Sequence, residues 1–199
     1  GTEWAKCTFG TDKEVYGRVY DIISKSWLTY EKYTCPLGIG WMVNPNTHYG
    51  PFVDGYEYDK WGTYHRADRN GIGQDRTMRY GTGYTSQYNE PLRSMYEEVE
   101  TTPEELLLFF HYTRYDYILS TGKTLIQHIY DSHFEGVAEV EKMISIWNEL
   151  CGTVDDVVFE RVKERMDRQL RNAVEWRDRV NTYFYRMSGV CDKLGRTIY

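Results

Sequence analysis

The densest collection of side chains able to do chemistry lies between His48 and Thr77, where the chain reads HYGPFVDGYEYDKWGTYHRADRNGIGQDRT. Asp54, Glu57, Asp59, Asp68 and Asp75 offer carboxylates there, and Lys60, Arg66, Arg69 and Arg76 offer positive charge. Six aromatic residues (Tyr49, Phe52, Tyr56, Tyr58, Trp61, Tyr64) and five glycines are interleaved with them. Two carboxylates can split a glycosidic bond, one as acid and one as base, when they stand roughly 6.5–9.5 Å apart for inversion. Here, however, basic residues lie close to these carboxylates in sequence. That pattern favours an Arg–Asp network that holds a loop in shape over an unpaired catalytic pair. Aromatic faces beside fixed charges are also what the wall of a sugar-binding pocket needs.

Other candidates are weaker. His128 and His133 are five positions apart, about 140° around a helix, so they cannot chelate one metal as an i,i+4 pair would. They read as polar positions of a packed helix. Gly71-Ile72-Gly73 and Gly122-Lys123-Thr124 lack the preceding strand and glycine spacing of a phosphate loop. Cys7, Cys35, Cys151 and Cys191 are far apart and form no CxxC pair. Buried free thiols are the expectation, with no metal site and no cofactor.

The elements that must carry these residues are mostly helical. Thr11 or Asp12 can cap a helix over 12–33, in which Tyr16, Tyr20, Ile23, Trp27 and Tyr30 recur at heptad spacing. Val15, Val19 and Ile22 widen that row into a stripe of the kind that faces a core. Residues 35–100 show no sustained period and predict an ordered irregular region, because a stretch so rich in aromatics does not fit disorder. Thr102-Pro103-Glu104-Glu105 predicts a capping box leading into Leu106–His111. Beyond Gly122, Ile126, Ile129, His133, Val137, Val140, Ile144 and Trp147 predict a long helix ending at Cys151-Gly152. A last helix begins near Asp155 or Asp156, repeats Phe159, Val162, Met166, Leu170, Ala173, Val180 and Phe184, and stops at Gly189. Leu125, Met143, Ile146 and Val174 read as further exposed apolar positions, open to bundle packing or self-association. No convincing strand pair is visible. The fold class is all-α, one helical domain over 1–199, with two long antiparallel-type helices and a long ordered aromatic and glycine-rich loop region.

Composition narrows the partners. A net charge of −6 argues against nucleic acid, whose binding depends on Lys and Arg neutralising phosphate. No apolar run approaches the ~20 residues that would span a bilayer, so no membrane partner is expected. Nineteen tyrosines and six tryptophans are the unusual feature, compatible with tyrosine-rimmed packing or with a carbohydrate surface. The opening GTEWAKCTFG reads as a segment of something longer, so compartment stays unassigned between cytoplasmic and secreted.

The His48–Thr77 run resembles the C-terminal part of the α-glucuronidases of glycoside hydrolase family 67. The likeness continues through GTGYTSQY at Gly81–Tyr88, PEELLLFFH at Pro103–His111, STGKTLIQHIYDSHFEGV at Ser120–Val137 and EWRDRVNTYFYRMSG at Glu175–Gly189. It covers nearly the whole chain in order. Arg114 and Ile118 stand where the family pattern has Pro and Arg, and Cys191 stands where it has Pro. These departures fall in loops.

What the resemblance implies is specific. The whole enzyme would remove (4-O-methyl)glucuronic acid, joined by an α-1,2 link, from the non-reducing end of xylo-oligosaccharides with inversion. Its catalytic carboxylates would sit on a (β/α)8 barrel outside this chain, so no catalytic residue is assigned here. The implied partners are that barrel of the same polypeptide, a glucuronoxylan-derived oligosaccharide and a second copy in a homodimer. Trp61 is the match for a tryptophan that reaches the acid sugar; an indole suits the task, since its face covers C–H groups and its N–H donates. Trp41 is the rival, and His65 and Arg66 are candidate donors, Arg being suited to a carboxylate. Each could instead be structural. The competing class is a non-catalytic dimerisation or carbohydrate-binding module.

Overall fold

The computed structural model describes residues 1–40, 50–51, 53 and 67–198. In chain order the described elements are α1 (Thr2–Phe9), α2 (Lys13–Thr34), β1 (Gly71–Ile72), α3 (Leu92–Glu97), α4 (Leu107–Phe110), β2 (Thr113–Arg114), α5 (Leu125–Asn148) and α6 (Asp156–Ser188). The architecture is all-α, dominated by α2, α5 and α6.

Local chemistry sets the ends of these helices. The Asp12 carboxylate accepts from the Glu14 amide at the start of α2, and Asp155 accepts from Val157 and Val158 at the start of α6. Gly189 closes α6 with φ 69. After α2 the chain turns through Cys35 and a single tight turn, Pro36–Gly38. Leu37 takes φ 57 there, which costs a residue with a Cβ about 1–2 kcal/mol. Burial of its side chain in the core offsets that cost.

The three long helices run up, down and up. His133 on α5 meets Asn181 on α6 while Trp147 stacks on Phe159 near the other end, so the pair is antiparallel. Thr29 on α2 donates to Glu139 on α5, and Arg18 to Glu149, which makes that pair antiparallel as well. Gly136 lets α5 approach α2: a Cβ there would come within 2.9 Å of the Tyr33 Cβ. The main core gathers Tyr33, Leu37, Leu108, Ile129, Trp176 and Phe184. A second cluster around Val15, Ile22, Trp147 and Phe159 lies under α1.

Several expectations change. Gly71 pairs with Arg114 and Ile72 with Thr113, a short antiparallel ladder in a chain expected to have none. Two residues per strand are too few for an alternating pattern to register. Leu125 and Met143 are buried, Leu125 in the main core and Met143 in the second cluster with Val15, Ile22 and Trp147. The free cysteines are not buried: Cys7, Cys151 and Cys191 are exposed and Cys35 is half-buried. The expected capping box is absent. Residues 104–106 form one tight turn, Thr102 bonds to the Glu98 carbonyl and to His111, and Glu104 turns to the Ser120 amide and hydroxyl.

The aromatic row of α2 is the largest correction. Val15, Val19, Ile22, Thr29 and Tyr33 face the bundle, whereas Tyr20, Ile23, Trp27 and Tyr30 are exposed, Trp27 at 61%. Both rows repeat every three to four residues, so periodicity alone could not choose between them.

Candidate functional site

The chain enters the 41–66 stretch from Gly40, and Gly40 lies on the rim of an open cavity of about 720 Å³. The C-terminal turn of α2 supplies Glu31, the following turn supplies Ile39, the 74–84 loop supplies Gln74, Arg76 and Tyr84, and α4 supplies Phe109. Gly38 makes this junction possible, since a Cβ there would meet the Glu105 carbonyl at 2.8 Å.

The loop is braced from inside. The Asp75 carboxylate accepts from the Thr77 amide at 2.9 Å and its hydroxyl at 2.6 Å. Gly81 packs so tightly on Asp75 that no side chain would fit. The Thr85 amide donates to the Arg76 carbonyl, and the Glu97 carboxylate takes the Met78 amide and the Thr85 hydroxyl. Arg76 is almost wholly buried; its guanidinium lies 4.2 Å over the Phe109 ring and donates to the Phe109 carbonyl. Tyr84 meets the same ring edge-on at 5.8 Å. The result is an aromatic wall with a held cation, an amide and carboxylates at the rim. Such a set can cover the apolar face of a small ring and hydrogen-bond its edge.

Where the aromatic run becomes described again, Asp68 closes a turn. It accepts from the Asn70 and Gly71 amides at 2.7 and 3.0 Å and from the Tyr112 hydroxyl at 2.7 Å. The Tyr112 hydrogen bond, then those of the backbone, hold the Asp68 carboxyl below its ordinary value. Burial and the Asp68 contact push Tyr112 up to about 12. Asp68 and Asp75 therefore bind amides and hydroxyls in these contacts, where the sequence pattern suggested arginines.

Trp61, Trp41, His65 and Arg66 lie outside the described residues, as do Asp54, Glu57 and Asp59. His128 and His133 are where the sequence put them, on a packed helix. His133 is fully buried, with Nδ1 at 2.5 Å from the Asn181 Oδ1, and burial lowers its pKa to about 4. Burial lowers His128 as well. Gly71 and Ile72 form a strand, and Lys123 pairs with Asp131 at 2.6 Å, so neither glycine motif is a phosphate loop. Among the described residues no group of three His, Cys, Asp or Glu could hold a metal ion. Tyr84, Phe109 and Gln74 were missed as site residues. Tyr84 and Phe109 lie in the GTGYTSQY and LLLFFH motifs and Gln74 at the end of the His48–Thr77 run, and no periodicity marks any of them.

The comparison that decides the family covers the fold from end to end: residues 1–197 match the model for the glycosyl hydrolase family 67 C-terminus. The chain belongs to glycosyl hydrolase family 67. Its relatives agree. "Alpha-glucuronidase A" of Emericella nidulans is 40% identical over 195 residues, and "Alpha-glucuronidase A" of Aspergillus tubingensis 38% over 195 residues. "Probable alpha-glucuronidase A" of Aspergillus oryzae is likewise 38% identical over 195 residues. Each match takes in 98% of this chain and 23% of the relative. The chain thus spans about a quarter of the length of these family 67 relatives and corresponds to their C-terminal domain.

Proposed function

We propose that this domain completes an α-glucuronidase that cleaves (4-O-methyl)glucuronic acid, with inversion, from the α-1,2 link to xylo-oligosaccharides. The acid and base are assigned to a barrel domain of the same polypeptide, and none to this chain. The irregular region 35–100 closes one wall of the acid-sugar pocket, with Trp61 as the residue over the sugar, Trp41 as its rival, and His65 and Arg66 as candidate donors. The helices buttress the barrel and pair with a second copy. The observation that supports this reading is the cavity that Gly40 borders: a preformed aromatic and polar wall, braced by Asp75 and Glu97, on a chain that matches the family 67 C-terminus over residues 1–197.

Kinetics of the full polypeptide on aldouronic acids test it. An indole covering about 100 Å² of sugar contributes roughly 2–3 kcal/mol at ~25 cal/mol/Å², so Trp61→Ala should lower kcat/KM by about 30- to 150-fold. Trp41→Ala should do less. An unchanged kcat/KM for Trp61→Ala would remove the pocket-wall assignment. Binding of aldouronic acid by a full polypeptide that never turns it over would favour the non-catalytic module.

A further inference from the structure

The cavity between α2, the 74–84 loop and α4 has a charge balance that its aromatic wall does not reveal. Glu31 from the last turn of α2 and Glu105 from the tight turn before α4 both line it, and both are exposed. Arg76 is the one cation among the described residues that line it, and it is already engaged. Its guanidinium covers the Phe109 ring and donates to the Phe109 carbonyl. Two carboxylates therefore face the cavity against one guanidinium. A sugar carboxylate brought there would meet like charge on two sides.

Neutral hydroxyls fare better. A carboxylate only accepts hydrogen bonds, and a sugar hydroxyl can donate to it. Gln74 adds an amide that both donates and accepts, and Thr82 adds a hydroxyl. The Tyr84 ring meets Phe109 edge-on at 5.8 Å and Tyr88 at 6.3 Å, yet the residue stays 44% exposed. An aromatic face among groups that satisfy hydroxyls is suited to a pyranose ring.

This platform is also held in place before anything binds. Gly83, at φ 75, opens the turn that carries Tyr84. The next residue, Thr85, gives its amide to the Arg76 carbonyl and its hydroxyl to Glu97. Little ordering is left to offset the gain from a bound ring. The volume of about 720 Å³ is that of a site for a drug-sized ligand, larger than one pentose ring requires.

We infer that this cavity takes neutral xylose units of the oligosaccharide, with Tyr84 against a ring and Gln74 and Glu105 on its hydroxyls. The acid sugar is left to the rest of the pocket. This domain then sets how many xylose units the enzyme uses. The inference rests on the α-glucuronidase reading above and names the part of that substrate which the cavity holds.

The test uses the full polypeptide and a series of aldouronic acids of increasing xylose number, with xylotriose as inhibitor. Values of kcat/KM should rise with chain length, and xylotriose, which carries no uronic acid, should inhibit competitively. Tyr84→Ala should lower kcat/KM about 10-fold more on the longest substrate than on the shortest, and should weaken xylotriose by a similar factor. Gln74→Ala and Glu105→Gln, which leave the aromatic wall in place, should act in the same direction by about 3-fold. Release that is independent of chain length overturns the subsite and leaves the α-glucuronidase reading standing. So do variants that lose nothing, or that lose equally on every substrate. A Glu105→Gln enzyme with raised kcat/KM overturns it as well, by placing the acid sugar in the cavity. No release from any aldouronic acid by the wild type overturns the activity itself, and the subsite with it.

Discussion

The α5–α6 seam and the outer face of α2 are made of similar residues and end in opposite states. Across the seam, Trp176, Val180 and Phe184 on α6 are buried together with Ile129, Tyr130 and Val137 on α5 in one core. On α2, Trp27 and Tyr20 are as large and as regularly spaced, yet they stand in solvent. The difference lies in neighbours: α5 is flanked by α2 and α6 along its length, whereas among the described residues the outward side of α2 meets only α1, at its N-terminal half, where Gly1 lies against the Tyr20 ring. A repeating apolar row says that a face is to be covered. It does not say by which molecule.

That contrast can be broken by substitution. Trp176→Ala, at 1% exposure, should destabilise the chain by about 3–5 kcal/mol in urea unfolding, and a cost near that of Trp27→Ala would erase the distinction. Acid should act on the same buried seam. His133 has a folded-state pKa of about 4 against an ordinary 6.5, so the folded state binds fewer protons between those values. Stability should therefore be full above pH 6.5 and fall toward pH 4, by up to about 3 kcal/mol. Replacing His133 with Gln should remove this share of the slope of urea midpoint against pH. Gly136→Ala should cost about 1–3 kcal/mol by pressing α5 off Tyr33, read as a lower melting temperature. Asp155→Ala should cost about 1 kcal/mol by uncapping α6. Trp27→Ala, at an exposed position, should change stability by less than about 0.5 kcal/mol.

The C-terminal tail belongs with the buried side of the comparison. Arg196 bonds to Asp192 and Asp131 and lies 4.2 Å over the Phe134 ring, while Gln127 holds Asp192 and the Lys193 amide. The Arg196 hydrogen bond keeps the Asp192 carboxyl well below the usual carboxylate range. No periodic signal marks this tail in the sequence, since its order comes from Gln127, Asp131 and Phe134 of α5, some sixty positions away.

The long helices were legible because burial imposes a 3.6-residue repeat over many turns and because Asp12, Asp155 and Gly189 mark their ends chemically. The β1–β2 ladder, the turn at Glu104–Leu106 and the bracing of Asp75 were not, because each depends on partners brought together by the fold. Arg76 shows the limit well. Nothing in its sequence surroundings points to Phe109, thirty-three positions away, on which the fold stacks it. The family motifs carried the site further than spacing did, since GTGYTSQY and LLLFFH contain the two aromatic walls of the cavity.

The measurement that reaches furthest is the release of glucuronic acid from an aldouronic acid, by the full polypeptide and by residues 1–199 side by side. The account predicts release by the first and none by the second. Turnover by the 199-residue chain alone, or a full polypeptide that releases nothing, would contradict it.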